Sequence, residues 1–192
     1  MKWVDAVVQG LLLGSLYAQY AIGMSLMFGV MRIVNIAHGD LVVLLALIGI
    51  SIAAVLGLGP GFIVLLLVPI GAAVGWILQR GILNWAVGED PLPSLIATFG
   101  LSLALQNFML TVWQADTRSL DAGALTTRSV ELMGIHVGVL PLLIAVVAVV
   151  LTWSLHMALK TTKFGRALRA AAADSVAATI SGVNTKAIYA QA

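Results

Sequence analysis

Three groups of residues in this sequence carry polar chemistry. Asn35, His38 and Asp40 fall within six residues, with Gly39 among them as a helix breaker. Thr98, Ser102 and Gln106 recur at the three-to-four-residue spacing of one helix face, with Asn107 beside the last, which gives a helix one polar stripe. Lys160, Lys163, Arg166 and Arg169 share the same spacing, so a helix places their charges on neighbouring turns. None of these groups makes a catalytic set. His136 and His156 stand far from His38, and the sequence has no His-x-x-x-His or Glu-x-x-His pair to hold a metal. It has no Gly-x-Ser-x-Gly nucleophile elbow and no phosphate-binding loop ending in Gly-Lys-Ser/Thr. It also has no cysteine, which excludes thiol and disulfide chemistry within it. No cofactor is implied.

The elements that position these groups follow from composition. Of 192 residues, 61% are hydrophobic and only 9% charged, with a mean hydropathy of +1.07. Soluble domains carry roughly 25% charged residues. So few charges cannot solvate the surface of a water-soluble protein this size, and the fold class is an all-α, polytopic transmembrane helical bundle. The pI near 9.2 reflects a few basic residues and does not point to nucleic acid. Five apolar runs, 6–31, 41–58, 62–79, 95–113 and 139–159, are long enough to cross a hydrocarbon core of ~30 Å. The first exceeds a signal-peptide core and lacks an Ala-x-Ala exit, so it reads as a retained span. Gly10/Gly14 and Gly71/Gly75 have the spacing that lets two membrane helices approach closely. Tyr17, Gln19 and Tyr20 are expected to face protein, and Pro69 to kink its span.

Between the spans come a break at 32–40, a Gly-Pro turn at 57–61, a loop at 80–93 with Glu89 and Asp90, and a mixed-charge loop at 115–138. No linker or repeat marks a second domain, so residues 1–192 read as one. Lys and Arg set the orientation. With the N-terminus outside, the inner side holds Arg32, Arg80, Lys160, Lys163, Arg166, Arg169 and Lys186, seven in all, against Lys2, Arg118 and Arg128 outside. The stretch 160–184 is then cytoplasmic. A break at 32–40 that re-enters the membrane would change the span count by one.

Within 161–184, Ala167, Leu168, Ala170, Ala171 and Ala172 favour helix, Asp174 and Ser175 offer a new cap, and Ala177, Ala178 and Ile180 precede Gly182. This helix–turn–helix is too polar to span a bilayer. The residues alone leave two readings open: a surface holding anionic lipid, worth up to ~1 kcal/mol per basic residue, or a handle for another protein. Asn35 and His38 likewise either line a substrate path at a span break, or cap a helix and tie a turn in a cytoplasmic loop. The stripe Thr98, Ser102 and Gln106 either lines a pathway or hydrogen-bonds between helices, the simpler reading.

Two motifs in register narrow this. Residues 29–39, GVMRIVNIAHG, follow a Gly-rich first span, and residues 162–170, TKFGRALRA, follow a late one. Together they resemble the branched-chain amino acid ABC transporter permease family, over essentially the whole chain. The resemblance implies a transporter subunit rather than an enzyme, in a bacterial inner membrane. Its implied partners are a second permease subunit, two ABC ATPase subunits that hydrolyse ATP, and a periplasmic or extracytoplasmic substrate-binding protein. Leucine, isoleucine and valine are the family's default substrates. Such permeases present a cytoplasmic coupling helix marked by Glu-Ala-Ala, three residues and Gly. Here Val176-Ala177-Ala178-Thr179-Ile180-Ser181-Gly182 keeps the alanines and the glycine but has Val in place of Glu, with Asp174 the nearest acid. Coupling is therefore expected of Lys163, Gly165, Arg166, Arg169, Asp174, Ala177, Ala178 and Gly182. The resemblance marks Asn35, His38 and Gly39 without giving them a role. The family continues with further spans beyond this region, so the chain reads as C-terminally truncated. A stand-alone secondary carrier or channel is the competing class; it would more often place acidic or basic residues inside spans, and the five runs contain no Asp, Glu, Lys or Arg.

Overall fold

The computed structural model describes residues 2–31, 33–86, 92–120, 123, 126, 128–132, 135–182 and 184–191. Of the charges named above, Arg32, Glu89 and Asp90 lie outside them, as does Asp121 of the mixed-charge loop. In order, the elements are α1 (Lys2–Met31), α2 (His38–Leu56), α3 (Pro60–Leu78), a π-helical turn (Gln79–Leu83) and a short α4 (Asn84–Ala86). Then come α5 (Leu92–Trp113), strands β1 (Ser129–Leu132) and β2 (Ile135–Gly138), α6 (Val139–Thr161), α7 (Lys163–Ala173), α8 (Ser175–Ile180) and α9 (Thr185–Gln191). Among the described residues, five helices are long and apolar enough to cross a membrane: Trp3–Met31, His38–Leu56, Pro60–Leu83, Leu92–Trp113 and Val139–Thr161. The five-span reading holds.

The ends differ from the sequence expectation, and the reason is general. A helix continues into polar residues wherever its first or last turn tolerates them. Thus α2 starts at His38 and takes Asp40 into its first turn, where an acid opposes the helix dipole favourably. The expectation that the long spans hold no acidic or basic residue is overturned by this carboxylate. Beyond residue 79, where a loop was expected, helix persists through the π turn and α4 to Ala86. Arg80 in that turn lies over the Trp76 ring, 4.5 Å from its centroid. Pro69 sits inside α3 without ending it. The mixed-charge loop contains an antiparallel hairpin, Ser129 opposite Gly138 and Leu132 opposite Ile135.

By contact the chain forms two compact units, residues 1–25 with 121–166, and residues 26–120 with 167–192. In the first, Gln19 Nε2 donates to the Ile144 carbonyl at 2.8 Å, as a polar point inside a span must. Tyr17, by contrast, is exposed. In the second, α2 packs on α3 and α5. The close approach is at Gly49, where an added Cβ would stand 2.7 Å from Leu67 Cδ1 and 3.3 Å from Ile63 Cγ2. The expected glycine pairs behave otherwise. A Cβ at Gly10, Gly14 or Gly75 would meet nothing within 4 Å, and at Gly71 only Leu45. Small residues license a close approach; they do not name the partner.

Three hydrogen bonds fix α2 against α5 with one sequence offset: Ile36 to Thr98, Asp40 to Ser102, and Ser51 to Trp113. A constant offset means the two helices run parallel, with α3 crossing back between them. At most 17% of any span's most apolar window is buried inside the chain, so hydrocarbon or another subunit covers the rest.

Gly49→Val should cost about 1–3 kcal/mol of stability by wedging α2 from α3. Thermal unfolding of the purified protein in detergent checks it against Gly75→Val, which should lower the midpoint far less.

Candidate functional site

The polar groups singled out by sequence assemble around the break at 33–37. The N-cap of α2 is Ala37, which has no side chain to bond the helix start. The turn before it is tied by the His38 N–H donating to the Asn35 carbonyl at 3.3 Å. The break is also bonded from α5. Thr98 is fully buried. Its hydroxyl accepts from the Ile36 N–H at 3.2 Å and donates to the Ser94 carbonyl at 2.8 Å, with the Val34 carbonyl at 3.3 Å. One turn on, Ser102 Oγ donates to Asp40 Oδ2 at 2.5 Å. Gln106 Nε2 donates to Asp40 Oδ1 at 3.2 Å, with Ser102 Oγ at 3.1 Å. The stripe is thus an interhelical hydrogen-bond ladder whose centre is Asp40. His38 and Gly39 are half-buried at the start of α2. Asn35 is only 4% exposed; its Nδ2 reaches Met27 Sδ at 3.7 Å, and among the described residues its Oδ1 has no hydrogen-bond partner.

The second group forms an elbow after α6. Thr162 is extended and serves both helices it joins. Its Oγ1 lies 2.6 Å from the Ala158 carbonyl and accepts from the Gly165 N–H at 2.9 Å. That second contact is an N-cap for α7. The turn is so tight that Gly165 has no room for a side chain: a Cβ there would lie 2.5 Å from Leu159 Cα and 2.6 Å from the Ala158 carbonyl oxygen. Backbone cannot swing aside as a side chain can. Arg166 Nη1 donates to the Thr161 carbonyl at 3.0 Å, placing a cation where α6 leaves carbonyls unpaired. Lys163, Arg166 and Arg169 are exposed on α7, whereas Leu168 and Ala171 are buried. Asp174 caps α8, accepting from the Val176 and Ala177 N–H groups at 2.9 Å each. Gly182 closes the element with a φ of +86°, a conformation that favours glycine. Ala177 is exposed and Ala178 buried, while Val176 and Ile180 stand out at 66% and 82% exposure.

A third feature joins these groups within the second unit, and sequence reasoning missed it. Met31, Ile33, Leu83, Ala171, Ala178 and Tyr189 form one hydrophobic layer, with Met27 and Val30 packed on it. The layer carries the end of α1, the start of the break and the end of the π turn on one side. It carries the buried faces of α7, α8 and α9 on the other. Burial pushes the Tyr189 phenol above its usual pKa, so it stays a donor, 3.4 Å from the Ala171 carbonyl. Beside the layer, an open groove of about 320 Å³ is lined by Asn84, Val176, Thr179, Ile180 and Tyr189 among others. The helical spacing of Leu168, Ala171 and Ala178 was a signal for the buried face; nothing local marked Leu83 as its counterpart.

Residues 6–192 match the family described as the branched-chain amino acid transport system / permease component. Two curated proteins are similar over nearly the whole chain. The high-affinity branched-chain amino acid transport system permease protein BraD of Pseudomonas aeruginosa is 26% identical over 98% of this chain and 65% of its own length. The corresponding protein LivH of Escherichia coli K12 is 28% identical over 99% of this chain and 65% of its own length. The chain thus spans about 65% of the length of these relatives. No solved structure matches it.

Gly165→Ala should cost about 3 kcal/mol or more, because the obstructing atoms are backbone. Asp174→Ala should cost about 1 kcal/mol through the lost cap. Amide hydrogen exchange across 163–182 reads both. The first should deprotect the α6–α7 junction, the second only the start of α8.

Proposed function

We propose, from the premise that this chain belongs to the branched-chain amino acid transport system permease family, that it is the membrane-spanning permease of an ATP-driven importer. The substrates are branched-chain or related amino acids. Its partners are a second permease subunit, two ABC ATPase subunits and an extracytoplasmic substrate-binding protein. It sits in the bacterial inner membrane with the N-terminus outside and residues 160–184 in the cytoplasm, the arrangement that keeps most Lys and Arg inside.

The observation that carries the coupling role is the shared hydrophobic layer. Ala171 and Ala178, on the helices expected to meet the ATPase, pack in one cluster with Met31 and Ile33 at the break in the membrane segment. A push on α8 reaches the break through close-packed side chains, which do not deform smoothly. In this reading Gly165 and Arg166 hold the elbow against α6, and Lys163 and Arg169 present charge to the partner or to lipid. Asp174 and Gly182 delimit α8, and its small Ala177 and Ala178 allow close seating. Exposed Val176 and Ile180 supply the apolar contact that the missing Glu does not.

Cysteine labelling tests sidedness directly. Ala173→Cys should react with an impermeant thiol reagent in inside-out vesicles and stay unreactive in intact cells; the reverse pattern removes the ATPase from reach and ends the importer reading. With sidedness settled, Ile180→Asp should weaken co-purification of the ATPase by roughly tenfold, about 1.4 kcal/mol, without lowering the protein's own melting temperature.

A further inference from the structure

We propose that Asp40 is the counter-charge met by the α-ammonium group of an amino acid crossing the membrane along the exposed face of α2 and α5. The identity of that cation rests on the importer reading; the existence of a cation site does not.

Position is the first argument. Asp40 is hydrogen-bonded to Ser102, which lies ten residues beyond the start of α5 at Leu92 and eleven before its end at Trp113. At 1.5 Å per residue, that is about 15 Å from either end. The carboxylate is therefore level with the middle of a span, although it stands in the first turn of its own helix. It also opens the most hydropathic of the five spans. An acid at such a depth costs about 2.5–3.5 kcal/mol against hydrocarbon. It is kept where water, a cation or a polar path meets it.

The partners are the second argument. Ser102 and Gln106 are donors with no charge of their own, and they orient the carboxylate. The site also opens outward. Thr98 and Ser102 are buried, Asp40 is half-buried and Gln106 is exposed, so access improves in that order along the stripe. An ammonium group brings three N–H donors, and the carboxylate accepts. Besides the carboxylate, the deeply buried Asn35 holds an amide oxygen that no described residue satisfies. A buried acceptor left without a donor is rare and costs about 1–3 kcal/mol. It fits a segment that rearranges when a donor arrives. The flanking Ile33 belongs to the layer beneath the coupling helices, so the nucleotide cycle has a route to the acceptors.

The test uses the full-length importer with all its subunits in proteoliposomes. Asp40→Asn should lower the initial rate of leucine uptake by roughly tenfold, and Asp40→Glu should restore most of it. An Asn variant that assembles and transports at the wild-type rate overturns the proposal. So does one that no longer retains the second permease subunit, since the charge then serves a protein cation at an interface. A second arm does not depend on transport. Gln106→Cys places a thiol beside the carboxylate in a sequence that has no other cysteine. It should react several-fold faster with a cationic methanethiosulfonate than with an anionic one, and Asp40→Asn should abolish that preference. Equal rates, or no reaction with either reagent, overturn the cation site. Should the wild-type importer carry no amino acid while the cationic preference persists, the substrate assignment fails and the site stands.

Discussion

A membrane helix that stops partway leaves backbone groups with nothing to bond. Hydrocarbon offers no hydrogen bonds, so every such group must be satisfied by the protein. Part of the break between α1 and α2 meets this constraint through one side chain. Thr98 accepts from the Ile36 N–H and stands near the Val34 carbonyl while remaining bonded to its own helix. With the break bonded there, α2 can begin level with the body of α5, Asp40 can lie beside Ser102, and the constant offset between the helices results. Such bonds average only ~0.6 kcal/mol in membranes. Their effect here is to choose one register among several that apolar packing alone would accept.

Below the break the logic reverses. The layer built from Met31, Ile33, Leu83, Ala171, Ala178 and Tyr189 is apolar and interdigitated, and it joins parts far apart in sequence. The polar ladder holds the break from above and the apolar layer holds it from below. A segment clamped by two different kinds of interaction can shift relative to either one.

Much of this fold is legible in the residues themselves. The spans follow from apolar length, since nothing else covers ~30 Å of hydrocarbon. Asp174 as a cap and Gly182 as a terminator follow from side-chain oxygen and positive φ, both local properties. The stripe Thr98, Ser102 and Gln106 was legible as hydrogen bonding, but its partner was not, because by apolar length Asp40 falls just outside a span. An isolated acid at the head of a very apolar run, with a donor stripe elsewhere, was the available signal. The hairpin was missed although SVEL and IHVG stand two residues apart with strand-like side chains. Glycine pairs misled for the opposite reason: Gly10 and Gly14 have the right spacing and no neighbour within the chain, while Gly49 has the contact.

The π turn at Gln79–Leu83 admits one more residue than an α-helix would in the same rise. Each added residue rotates the downstream helix by about 100°. Leu83, the last residue of the turn, lies in the apolar layer, and Asn84 beside it lines the groove and accepts from Gln79 Nε2 at 3.1 Å. The widened turn acts as a phase shift in a long rod. Before the turn α3 packs on α2, and the turn itself meets α9.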